Sequence, residues 1–150
     1  MRGRLWLLLA AALVIIALLL YPSTQCQVTE AQLTVSQLKT FVVPVQEGYA
    51  VGFSFNVTNQ ATCETKAQKI HVVLRSLAYP DGRQVAQNLE ETETIDTTLV
   101  PGRSSFFSYT FNSYFTYRPA KMALRVEISL VEPGTVLVFD GEVALPEAES

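Results

Sequence analysis

The stretch YAVGFSFNV, Tyr49–Val57, decides the fold. Tyr49, Val51, Phe53, Phe55 and Val57 fall on one side of an extended chain, and Ala50, Gly52, Ser54 and Asn56 on the other. Side chains alternate across a strand, so the run reads as a strand with a large apolar face and a small polar one. Such a strand is half of a two-layer sandwich. Ala31, Leu33 and Val35 make a weaker stripe before it, and Ile70, Val72 and Leu74 in KIHVVLRSL make another after it. Period-two alternation dominates everything beyond Cys26, with no convincing helical periodicity.

Turn chemistry separates the runs. YPDGR, Tyr79–Arg83, is a Pro-Asp-Gly turn, in which proline presets the first corner and glycine tolerates positive φ. VPGRS at Val100–Ser104 and EPGT at Glu132–Thr135 repeat the device, the second as a hairpin between Leu124–Val131 and Val136–Val143. The expected strands are 28–37, 49–58, 69–78, 83–88, 93–99, 104–112, 121–131 and 135–143. Seven or eight short strands at this spacing make an all-β chain, an immunoglobulin-like Greek-key β-sandwich over 28–145, followed by a frayed polar tail at 146–150.

The aromatic run RSSFFSYTFNSYFTYR, Arg103–Arg118, divides in two. Phe107, Tyr109 and Phe111 alternate on a strand and belong to the core, while Phe106 faces the other way. Asn112-Ser113 then breaks the strand and leaves Tyr114, Phe115 and Tyr117 in a loop. On an eight-strand count that loop shares an end with the start of the chain. Its aromatics then either rest in a lipid interface or on a neighbouring subunit, or plug the end of the core.

The first residues differ in kind. Arg2 and Arg4 precede Leu5–Tyr21, seventeen residues without a charge. As a helix that run is roughly 25 Å long, at the short end of a bilayer span. Trp6 and Tyr21 bracket it as interfacial aromatics do, and the positive-inside bias puts the N-terminus in the cytoplasm. Residues 1–21 are expected to be a transmembrane signal anchor, with 22–27 a short linker. A cleaved secretory signal is the competing reading, although Tyr21, Pro22 and Gln25 make poor cleavage geometry. The domain would then stand outside the cytoplasm on a single-pass anchor.

Composition and motifs exclude more than they assign. The chain holds eleven Lys and Arg, two of them Arg2 and Arg4, against fourteen Asp and Glu, so the outer part carries a net −5. That acidic balance argues against nucleic acid and against docking on anionic lipid. His71 is the only histidine, which excludes a multi-histidine metal site. No nucleophile, zinc-protease, phosphate-loop or calcium-loop pattern is present, so neither an enzyme nor a cofactor is expected. EETETID, Glu90–Asp96, lacks the ligand spacing of a calcium loop and reads as a solvated edge that discourages strand pairing.

Cys26 precedes the first strand, and Cys63 sits in the loop NQATCETK between strands two and three, at the same end of such a sandwich. An intramolecular bridge would stabilise by about 3–4 kcal/mol. Two unrelated thiols, or an intermolecular bond through Cys26, are the alternatives. Asn56-Val57-Thr58 is an N-glycosylation sequon on the outer face.

FSFNVTN, IHVVL, PDGRQVA, LVPGRSSFFSYTF and ALRVEISL together resemble the CARDB-like and FxLYD-like immunoglobulin-fold modules of archaeal and bacterial envelope proteins. The likeness runs from about Leu33 to Leu130. It implies the sandwich and a cell-envelope setting, and it carries no catalytic residues across. The layout of a membrane helix before a β-sandwich also resembles that of archaellum stator proteins. Two functions are therefore expected. One is a structural or protein-interaction module of the envelope, an accessory of a surface appendage or S-layer, binding another envelope protein or itself. Self-pairing would run along the Val136–Val143 edge. The other is a small-ligand or carbohydrate-binding module, or a non-catalytic subunit of a membrane complex, using Tyr114, Phe115 and Tyr117 as a stacking platform.

Overall fold

The structure is a computed structural model that describes residues 10–17, 26–131 and 134–148. Seven strands follow a short 3-10 turn, Glu30–Gln32: β1 (Leu33–Val45), β2 (Gly48–Asn59), β3 (Thr65–Ala78), β4 (Gln84–Leu99), β5 (Ser104–Thr110), β6 (Lys121–Leu130) and β7 (Thr135–Ala144). They form two antiparallel sheets, one ordered β1-β2-β5 and the other β4-β3-β6-β7. The all-β sandwich expected from the alternation is therefore what the chain forms.

The inward faces are the apolar stripes read from sequence. Val51, Phe53, Phe55 and Val57 of β2 are at most 1 % exposed, and they meet Ile70, Val72 and Leu74 of β3 across the core. Phe107, Tyr109 and Phe111 complete it, with Phe53 stacked on Tyr109 at 5.6 Å and Phe55 on Phe107 at 5.4 Å between ring centroids. Offset aromatic pairs of this kind add to the stabilisation from area burial alone. Phe106, on the opposite face of β5, is 68 % exposed. Gly52 has a specific task on that outer face: a Cβ there would lie 2.3 Å from the Phe41 ring and from the Tyr109 carbonyl oxygen. Its absence lets Phe41 lie across the sheet.

Several boundaries differ from the sequence expectation. The expected strands 83–88 and 93–99 are one strand, β4, which bends instead of breaking. Asn88 and Asp96 absorb the irregularity at φ 47° and 44°, and its pairing with β3 slips at Ala67/Lys69 and Leu74/Ser76. β1 starts later and runs on through Pro44, which an edge strand accommodates because the missing N–H costs no ladder bond there. Residues 28–32, expected as strand, instead form the 3-10 turn and its approach.

The sandwich has two distinct ends. The base gathers the start of β1, the β2–β3 loop, the β4–β5 turn and the β6–β7 connection. The tip gathers the β1–β2 turn, the YPDGR turn, the β5–β6 loop and the end of β7. A twelve-residue strand such as β2 separates them by roughly 35–40 Å. Of the expected anchor, residues 10–17 are helical; its other residues, 1–9 and 18–21, lie outside the described residues, as does linker 22–25. Among the described residues no helix is long and apolar enough to cross a membrane.

Candidate functional site

At the base, Cys26 and Cys63 are joined as a disulfide, with their Cα atoms 6.0 Å apart and a separation of 37 in sequence. The segment that follows Cys26 folds against the same end. The Thr29 amide donates to Gln32 Oε1 at 3.0 Å, the Gln60 amide donates to the Gln32 carbonyl at 2.8 Å, and the Thr135 amide donates to Glu30 Oε1 at 3.3 Å. Asn59 holds the loop that carries Cys63. It is fully buried, and its Nδ2 donates to the carbonyls of Cys63 and Leu99 while its Oδ1 accepts from the Ala61 amide. A buried amide side chain is tolerated only when its donors and acceptor are met in this way. Sequence reading passed over Asn59; the Asn at the end of a strand, just before a polar loop, was the available signal.

At the tip, the three loop aromatics do not act as one group. Phe115 is 6 % exposed and caps the core. Its amide and carbonyl exchange hydrogen bonds with Tyr49 at 2.9 and 2.8 Å. Gly48, at φ 138°, permits this approach, because a Cβ there would sit 2.4 Å from the Phe115 carbonyl oxygen. Phe115 thus plugs the end of the core, the second of the two roles expected for this loop, and is not available as an interaction surface. Tyr114 and Tyr117 are 55 % and 61 % exposed. The loop also lies at the opposite end from Cys26, not beside it as expected, so it is remote from the start of the domain.

Around Tyr117 the turns converge. YPDGR closes through the Gly82 amide donating to the Tyr79 carbonyl and the Arg83 amide donating to Asp81 Oδ1. That turn places Tyr79 and Arg83 beside the β5–β6 loop. The Arg83 guanidinium carbon lies 5.1 Å from the Tyr79 ring centroid and 5.6 Å from that of Tyr117. Both are cation–π distances. Tyr79, Arg83, Val85, Tyr114 and Tyr117 line a cleft of about 340 Å³. The Tyr79 and Tyr117 rings meet edge to face at 89°, with Arg83 against both, so these two rings do not form a coplanar stacking platform for a sugar. Nearby, Arg118 lies over the Tyr49 ring and donates to the Pro146 carbonyl at 2.8 Å, fastening the chain after β7 to this end. Sequence reading found Tyr114 and Tyr117 but not Tyr79 or Arg83.

The outer face of the four-stranded sheet is a ladder of charges. His71 Nε2 lies 2.7 Å from Glu90 and its Nδ1 3.7 Å from Glu127; Arg125 pairs with Glu127 and Asp140; Arg75 meets Asp140 at 2.7 Å. The hydrogen bond from Arg75 holds the Asp140 carboxyl below its usual range. No group of three His, Cys, Asp or Glu among the described residues is placed to hold a metal ion. EETETID is part of β4, and its carboxylates have separate tasks. Glu90 meets His71 and Asp96 meets Lys66, while Glu91 points inward and accepts from the Tyr109 hydroxyl and the Asn112 amide. Glu91 thereby ties the edge of one sheet to the edge of the other. Burial first, and then the Glu91 carboxylate, push the Tyr109 phenol well above its ordinary range. Asn56 is half-buried on the outer face of β2, where its Nδ2 donates to Gln37 Oε1 at 3.3 Å.

No family model matches the chain, and no curated protein does. Solved structures share its fold. The X-ray structure of Northeast Structural Genomics Consortium target SoR45 superposes with a TM-score of 0.56 at 12 % identity, over 78 % of this chain and 89 % of that one. The crystal structure of an ApaA protein from Bordetella pertussis superposes with a TM-score of 0.51 at 18 % identity, over 77 % and 95 %. At these identities the likeness is one of fold alone.

Proposed function

We propose that the chain is a protein-interaction module of the cell envelope: an immunoglobulin-like sandwich, of the CARDB-like or FxLYD-like kind, held outside the cytoplasm by its N-terminal apolar segment and offering its tip to another envelope protein. The tip carries the reading. Exposed Arg83, Tyr114 and Tyr117 with half-buried Tyr79 form an aromatic and cationic cluster at the end of the domain remote from Cys26. Tyr and Arg are the residue types that dominate binding energy when an interface covers them. The disulfide supports the compartment, since such bonds persist in oxidising surroundings. The uncharged run Leu5–Tyr21 behind Arg2 and Arg4 supports the anchor. A role as an accessory of a surface appendage or S-layer is the narrower form of the same reading.

The test uses the full chain in its native membranes. A photo-crosslinking residue at Thr116 should capture one defined partner, and the combined Arg83→Ser, Tyr114→Ser and Tyr117→Ser variant should lose that adduct while unfolding at the same temperature. An adduct that survives the triple substitution would overturn the assignment of the tip. For the anchor, alkaline extraction should leave the protein in the membrane with Met1 or Arg2 as its first residue. A mature protein starting beyond Tyr21 would refute it.

A further inference from the structure

A sandwich with three strands facing four leaves four sheet edges, and three of these are blunted. β1 carries Pro44 and a register break between Ser36 and Lys39, with Gln37 at φ 57°. β7 has a register break of its own and Gly141 at φ 157°, and its Ala144 carbonyl accepts from Thr40 Oγ1 at 2.8 Å. That occupied carbonyl and the irregular backbone speak against the self-pairing expected along Val136–Val143. β4 is bent at two points and lined with carboxylates. Devices of this kind suppress strand addition.

β5 has none of them. Ser104–Thr110 is unbroken in register, with no proline and no charge. The Phe111 amide donates to the Val51 carbonyl and the Asn59 amide donates to the Arg103 carbonyl. In an antiparallel ladder this phase directs the odd-numbered residues at β2 and turns the amides and carbonyls of Ser104, Phe106, Ser108 and Thr110 outward. Beside that row a groove of about 500 Å³ runs between β5 and β4, lined by Thr92, Glu93, Ser108, Thr110 and Asn112. Glu91 is engaged by Tyr109 and Asn112, whereas Glu93 has no ion-pair partner among the described residues. Arg83 and Arg103 are the cations nearest to it in sequence, each ten positions away.

We propose that the β5 edge accepts an extended segment of a partner protein as an added strand, with a lysine or arginine of that segment set against Glu93. The outward backbone groups of β5 supply affinity without regard to sequence, and the carboxylate selects the charge. A second copy of this chain fits less well, because pairing two β5 edges would bring its acidic β4 toward this one. The proposal does not depend on the tip cluster of Tyr79, Arg83, Tyr114 and Tyr117, none of which lines this groove.

The test is fluorescence anisotropy on the full chain in detergent, with the labelled peptide Ac-TKVKTKV-NH2. Expected is saturable binding, at least tenfold weaker for Ac-TEVETEV-NH2 and absent when the three central amides of the lysine peptide are N-methylated. Ser108→Pro removes one outward amide at a position where an edge strand tolerates proline. That variant and Glu93→Lys should each weaken binding tenfold or more, while Tyr114→Ser with Tyr117→Ser leaves it unchanged. Equal binding of the N-methylated peptide would overturn strand addition whether or not Ser108→Pro folds, and so would failure of the lysine peptide to bind. Equal binding of the glutamate peptide would overturn the role of Glu93. A dimer of the full chain that Ser108→Pro dissolves would assign the edge to a second copy and overturn the proposal.

Discussion

Replacing both members of the Cys26–Cys63 bridge tests what holds the base together. The bond closes a loop across 37 positions. The chain-entropy relation for a loop of that length gives about 4 kcal/mol at 25 °C, the stabilisation that comes from constraining the unfolded chain. For a domain of this size each kcal/mol moves the midpoint by about 4 °C, so the double variant Cys26→Ser, Cys63→Ser should melt roughly 15 °C lower than the parent. Adding reductant to the parent should reproduce the shift, and should leave the variant unchanged.

The loss has a local part as well. Without the bond, residues 26–32 are held at the base by the Gln32–Gln60 and Glu30–Thr135 hydrogen bonds and by Val28 packing on the core. Amide exchange of Gln32 should therefore accelerate more than that of β2 or β3, whose ladders do not involve the segment. Urea denaturation with and without reductant measures the global term, and exchange measures the local one. A double variant within about 1 kcal/mol of the parent would refute the reasoning. So would disulfide-linked dimers as the main species on a non-reducing gel, because the loop closed in the unfolded chain would then not be this one.

Three further outcomes follow from burial and charge. Asn59→Ala removes three hydrogen bonds and leaves the Leu99 and Cys63 carbonyls and the Ala61 amide without that partner, at a cost of about 2–4 kcal/mol by urea denaturation. Phe115→Ala should cost about 3–5 kcal/mol, whereas Tyr114→Ala and Tyr117→Ala should each stay within about 0.5 kcal/mol; the contrast separates plug from surface in one series of melts. The Tyr109 phenol, raised by burial and by Glu91, should make stability fall at alkaline pH. Its folded pKa lies above the unfolded value of about 10, so its contribution is complete below that pH. It is then lost at about 1.4 kcal/mol per pH unit as the unfolded chain alone ionises. Tyr109→Phe should flatten that slope between pH 10 and 11.

The core was legible because a half-buried strand writes its burial in alternate letters. Phe53, Phe55, Phe107 and Tyr109 could be assigned to the interior from spacing alone, and the turns from Pro, Asp and Gly in order. Features made by contacts across the chain were not legible. Tyr79 and Arg83 lie in a turn whose sequence is fully explained as a turn, and only the fold brings Tyr117 within 6.3 Å of Tyr79. Glu91 reads as one carboxylate in a solvated run, yet it faces inward because it is paired with Val72, whose side chain is in the core. The exposure of Tyr114 against the burial of Phe115 rests on a two-residue bridge to Tyr49, which no local pattern announces.

The misplacement of the aromatic loop has one cause, and it shows how a local error becomes a global one. In an antiparallel sandwich each strand reverses the direction of the last, so the end at which a loop emerges depends on whether the strands before it number odd or even. Reading 83–88 and 93–99 as two strands made the aromatic strand the sixth, running toward the base, and put Tyr114 and Tyr117 beside the start of the domain. Asn88 and Asp96 instead turn within one strand, because a left-handed residue can be absorbed as a bulge without ending the pairing. β5 is then the fifth strand and runs from base to tip. A single bend at Asn88 thus decides whether the exposed tyrosines lie beside Cys26 or at the opposite end of the domain.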